Sequence, residues 1–169
     1  MGVRYSFSST SITITNTADT TNLANSTYLA LLQGGSGTMR LNIAEVFLGG
    51  EAPSASSVTT TVLARDSTVA TATVSGGRNA VLDASSTAPG TVAIVGNTTS
   101  GTVPQRSATL HLLHLSFNAY GGIVRWVARP GEEPSVVGNT ASLGEVSLSG
   151  YGASGTSGPV SSHILYEVA

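Results

Sequence analysis

Three histidines, at positions 111, 114 and 163, are the only imidazoles in this 169-residue chain, and no cysteine stands beside them. A metal-binding histidine pair needs both rings on one face, which takes a spacing of four on a helix or two on a strand. His111 and His114 are three apart in the run Thr109-Leu110-His111-Leu112-Leu113-His114-Leu115-Ser116-Phe117, the longest apolar run and one that reads as a strand. Regular alternation sends the two rings to opposite faces. His163 is distant in the sequence, and no Asp or Glu clusters with any of the three. The expectation is three structural histidines, with no metal and no cofactor.

Other chemistry is equally thin. Gly150-Tyr151-Gly152-Ala153-Ser154-Gly155 matches G-x-G-x-x-G, which cradles a pyrophosphate only where it joins a strand to a helix. Thr156-Ser157-Gly158-Pro159 follows it and starts no helix, so the stretch reads as a flexible hairpin loop. The absence of lysine removes a phosphate-binding P-loop, and no Gly-x-Ser-x-Gly elbow presents a nucleophile. The Asn25-Ser26-Thr27 and Asn97-Thr98-Thr99 sequons arise by chance in a composition this rich in Ser and Thr. No enzyme is expected. All seven basic residues are Arg, scattered among nine carboxylates for a net charge of −2, so no basic stripe for nucleic acid exists.

The residues suited to contact with another protein are clearer. Trp126 is the single tryptophan, flanked by Arg125 and Arg129, and Trp and Arg lead the residue types that dominate binding energy at interfaces. Trp126 reads first as a core anchor and second, with its arginine neighbours, as an interface residue. Glu132 and Glu133, beside Pro130-Gly131 and Pro134, form a solvated turn whose carboxylates are available to an arginine of a neighbouring subunit.

What positions these residues is a succession of short strands. Charged residues make up only 9% of the chain and hydrophobic ones 40%, against roughly 25% charged in ordinary soluble domains. Tyr5 and Phe7, Ser11 to Thr15, Met39 to Leu48 and Val58 to Arg65 alternate with period two. Tyr28 to Leu32, Val69 to Val74, Ala108 to Phe117, Ile123 to Ala128, Val136-Val137, Gly144 to Ser149 and Ser161 to Val168 complete the series. Gly76 to Gln105 is small, polar and punctuated by Gly and Pro, with only Val92 to Val95 resembling a strand. Thr20 to Leu32 carries too many Asn and β-branched residues for a helix. Eight to ten short strands without βαβ alternation predict one all-β domain over residues 1–169, an antiparallel sandwich of jelly-roll type with little helix. The N-terminal strand and polar segment, 1–27, are free to reach a neighbouring subunit. No apolar run approaches the roughly 20 residues of a membrane span, and Met1 to Tyr5 lack the apolar stretch of a signal peptide.

Glu45-Val46-Phe47-Leu48-Gly49-Gly50-Glu51-Ala52-Pro53-Ser54, followed by Leu63-Ala64-Arg65-Asp66-Ser67-Thr68, resembles small β-sandwich proteins encoded beside phage structural genes. So do Phe117 to Ala128, Gly138-Asn139-Thr140-Ala141 and the ending His163-Ile164-Leu165-Tyr166-Glu167. The resemblance implies a jelly-roll decoration (cement) protein on the outer capsid surface of a tailed-phage virion. It also implies a homotrimer that bridges major capsid protein subunits. A carbohydrate- or receptor-binding jelly roll of a fibre or lectin is the alternative, with Tyr120 and Tyr151 its candidate loop aromatics.

Overall fold

A computed structural model describes residues 2–14, 18–23, 28–34, 38–54, 58–70, 74–75, 77–87, 93–96, 98–99, 102–138, 144–152 and 158–169. Among them are thirteen strands and no helix: β1 (Val3–Thr13), β2 (Tyr28–Gly34), β3 (Arg40–Glu51), β4 (Val58–Thr68), β5 (Val74–Ser75), β6 (Arg78–Val81), β7 (Ala93–Gly96), β8 (Thr98–Thr99), β9 (Gln105–Asn118), β10 (Tyr120–Val127), β11 (Ser135–Val137), β12 (Glu145–Gly152) and β13 (Pro159–Val168).

One sheet runs β10-β3-β13-β1-β6, with β11 pairing the other end of β3, and the second runs β7-β2-β12-β4-β9. The pairs β1·β13, β2·β12, β3·β10 and β4·β9 are all antiparallel and nested one inside the next. The chain is thus one long folded-over ribbon, wound so that successive lengths fall on alternate sheets. That is the jelly-roll order, and the fold class read from the sequence holds.

Period-two alternation builds the core between the sheets. Tyr5 and Phe7 of β1, Leu41, Ile43, Val46 and Leu48 of β3, and Ile164 and Tyr166 of β13 meet Leu32, Leu63, Val146, Leu148 and Phe117 of the facing sheet. The step from Ile43 to Val46 breaks the alternation because a register shift lies opposite Leu165/Tyr166, admitting an extra residue on β3. Each fully buried Leu or Phe in such a core contributes about 1.5–3 kcal/mol. Val124 and Trp126 of β10 pack against this cluster while only half-buried, so Trp126 borders the core rather than anchoring it.

The second sheet is buried on both faces along β2 and nearly all of β12. Its outer side lies under Leu23, Ala70 and Val103, which pack on Tyr28 and Leu31. This cover explains the unbroken apolar run at Tyr28 to Leu32, since a strand buried on both faces has no polar side to alternate with.

Within the chain, β1 lies between β13 and β6, Asn22 bridges Gln105, and the Arg106 N–H donates to the Thr21 carbonyl at 2.8 Å. Two expectations need correction. Arg78 sits in a strand opposite Ser8 rather than in a loop. Gly150 to Gly152 end β12 in one sheet while β13 belongs to the other, so the two strands form no hairpin. Asn25, Asn97, Asn139 to Ala141 and Ala153 to Gly155 lie outside the described residues.

Candidate functional site

Antiparallel register lines up four polar side chains across the covered face of the second sheet. Gln33 of β2 pairs with Glu145 of β12, Val146 pairs with Arg65 and so sets Glu145 beside Asp66, and Asp66 of β4 pairs with Arg106 of β9. All four are almost wholly buried. The Ser147 hydroxyl donates to Asp66 Oδ1 at 2.6 Å, while no donor faces Asp66 Oδ2. Glu145 accepts from the Gln33 side-chain amide and from the Ala70 N–H. Burial first, and the neighbouring Glu145 second, push the Asp66 carboxyl up to about 10. Glu145 is also raised, again chiefly by burial. The pair therefore enters neutral solution holding a proton. Arg106 does not neutralise it: its Nη1 donates to Ser149 Oγ at 2.8 Å, its Nη2 donates to the Thr20 carbonyl at 2.7 Å, and the guanidinium pairs with Asp19.

This row ties the covering segments to the sheet. Arg106 holds residues 19 and 20, and Glu145 and Gln33 hold Ala70. With every member sealed from solvent, the row has no room for a substrate. Sequence reasoning missed Gln33, Asp66, Arg106 and Glu145. One signal was present: Val146 and Leu148 point inward, which puts Glu145, Ser147 and Ser149 on the opposite face. What the sequence did not carry is that this face is covered.

The open surface has a different character. Among the described residues eight large apolar side chains are exposed, and seven of them lie on β9, β10, β11 or the adjoining start of β4: Val58, Leu110, Leu112, Tyr120, Ile123, Val127 and Val137; the eighth, Leu82, lies past β6. β9 ends the second sheet and β10 ends the first, so this flank carries the outer edges of both. All five residues singled out for an interface fall on it or on the turn that follows. Ile123 is 69% exposed and Val127 53%, and Arg125 projects between them from the same face of β10.

Arg125 already has a carboxylate partner within the chain. Its Nε and Nη2 donate to Glu45 Oε1 at 2.6 Å and Oε2 at 3.0 Å, a two-pronged pair within the chain. That bond is the leading cause holding the Glu45 carboxyl below its usual range. Arg129 and Glu132 are exposed on a turn closed by the Glu132 N–H to the Arg129 carbonyl at 2.9 Å. Glu133 Oε2 accepts from the Gly131 N–H at 2.8 Å, as an acid capping its own turn does.

The histidine expectation fails in its geometry. His111 Nδ1 and His114 Nε2 lie 2.9 Å apart, with ring centroids 4.9 Å apart and planes tilted by 44°. Leu63 pairs with Leu113 but Ala64 pairs with His111, so Leu112 is an extra residue on β9. Such a bulge breaks the alternation and re-aims side chains; here it puts two residues three apart on one side. Histidine 163 stays apart, its Nδ1 within 2.7 Å of Ser8 Oγ on the outer face of the first sheet. On that face Ser11, in a left-handed conformation at φ 53°, and Ser161 both donate to Glu51, whose carboxyl they hold low. Among the described residues no three His, Asp or Glu side chains converge.

No protein-family model matches the chain, and no curated protein matches it. Among solved structures, it was aligned with the VP2 subviral particle of infectious bursal disease virus at 12% identity and a TM-score of 0.17, over 98% of this chain and 41% of that one. It was also aligned with T=1 particles derived from infectious bursal virus at 11% identity and a TM-score of 0.14, over 97% and 40%. The chain spans about two fifths of the length of those chains. Superpositions this loose assign no family; the jelly-roll description rests on the strand order itself.

Proposed function

We propose that this chain is a non-enzymatic structural protein that works by packing against other subunits, as a decoration protein on the outer capsid surface of a tailed phage. The observation that carries the packing claim is the clustering of exposed apolar side chains on the β9–β10 flank. Scattered single apolar residues are ordinary on a surface, whereas a concentrated set beside unpaired strand edges marks a contact surface. The low charge of the chain lowers the desolvation cost of covering it. The buried polar row supports the same reading, because its side chains are spent on holding the fold and none faces an open cleft.

The phage, trimer and capsid-bridging parts of the proposal rest on the sequence resemblance at residues 45–54, 63–68 and 117–128. In this reading three copies pack around a threefold axis, shielding the β9 and β10 edges, and the trimer bridges major capsid subunits. Imaging of the parent particle tests it. Trimeric density of this size on the capsid exterior is the expected result, and its absence from the particle, or its presence only at a fibre tip, overturns the decoration role.

A further inference from the structure

The geometry points to His111 and His114 as a two-histidine chelate for a tetragonal divalent transition metal, Cu(II) before Ni(II), on the exposed side of β9. The site lies on the flank proposed for subunit contact, but both its ligands come from one chain. Imidazole nitrogens bind such metals at roughly 2.0 Å, so two adjacent corners of a square-planar centre lie roughly 2.8–2.9 Å apart. His111 Nδ1 and His114 Nε2 already stand at 2.9 Å. A tetrahedral ion at the same bond length needs roughly 3.3 Å, which asks the rings to separate. Imidazole ligands in tetragonal geometry favour Cu(II) or Ni(II), and affinity peaks at Cu(II) in the first-row series.

In the free protein one of the two facing nitrogens carries the hydrogen of the shared bond. On binding, that hydrogen moves to the far nitrogen of its own ring, and a turn of both rings off the shared N–N line aims the two lone pairs at the metal. The ring of His114 is exposed and that of His111 half-buried. Two coordination positions therefore remain for water or an exogenous donor. The bulge at Leu112 is the device that makes the site, for without it the rings would part to opposite faces.

The test is titration of the whole, metal-stripped chain with Cu(II) by calorimetry, with electron paramagnetic resonance of the one-equivalent sample. One equivalent per chain, two bound nitrogens in the spectrum and weaker binding of Zn(II) are expected. His111→Asn and His114→Asn should each weaken Cu(II) at least 30-fold and leave a one-nitrogen spectrum, while thermal midpoints stay unchanged. Binding that survives the His111→Asn/His114→Asn double variant, or a wild-type chain that binds no more tightly than that variant, overturns the assignment.

Discussion

Asp66 on β4 and Glu145 on β12 stand side by side in the second sheet, both with no exposed surface, and between them they keep a proton that two separate surface acids would have lost. The fold tolerates this because Ser147, Gln33 and the Ala70 backbone supply hydrogen bonds that water would otherwise give.

The consequence is a stability that falls as pH rises. In the unfolded chain Asp66 titrates near 3.9, whereas in the folded one it is pushed up to about 10. Its contribution is fully present below the unfolded value and is lost as pH climbs through the folded one. Glu45 and Glu51 act in the opposite sense, but their lowered values confine them to acid pH. Between pH 7 and 9 the pair should set the slope, at most roughly 1.4 kcal/mol per pH unit. Denaturant unfolding across that range should show the decline, and Asp66→Asn, which preserves the Ser147 contact and can donate to Glu145, should remove most of it.

Arg106 makes a separable prediction. Replacing it by Met keeps the buried stem but cuts the ties to Ser149, Thr20 and Asp19. The expected loss is on the order of 2–3 kcal/mol, the range for hydrogen bonds to a charged group. Hydrogen exchange should quicken selectively at residues 18–23, while β3 and β13 remain protected.

Gly50 tests the corner where β3 meets the β9–β10 turn. A Cβ there would sit 2.3 Å from the Ala119 carbonyl oxygen, and backbone cannot swing aside as a side chain can. The Ala52 N–H also donates to that oxygen at 2.8 Å. Gly50→Ala should therefore destabilise by about 1–3 kcal/mol, whereas Gly49→Ala, with open space around it, should shift the thermal midpoint little.

Much of the architecture was legible in the sequence because alternation is a local signal. Leu41, Ile43, Leu48, Val146, Leu148, Ile164 and Tyr166 reveal their inward faces without knowledge of their partners. Bulges defeat the same rule. The extra residue at Leu112 reverses the expected relation of His111 to His114, and nothing in Leu110-His111-Leu112-Leu113 announces it. The Arg125 partner was hidden for a related reason: Glu45 is eighty positions away, and only the β10·β3 register brings the two together. Asp66, Glu145 and Arg106 are likewise assembled by pairings across three strands.

The central claim, that this flank exists to be covered by other subunits, is tested most directly by the mass of the purified chain in solution, measured against Ile123→Glu. Ile123 is 69% exposed, so a carboxylate at position 123 disturbs little packing within the chain. It does place a charge in the middle of the proposed contact. The account predicts a trimer for the wild-type chain and a monomer with an unchanged thermal midpoint for the variant. A wild-type chain that stays monomeric at every concentration, with the variant indistinguishable from it, would contradict the account.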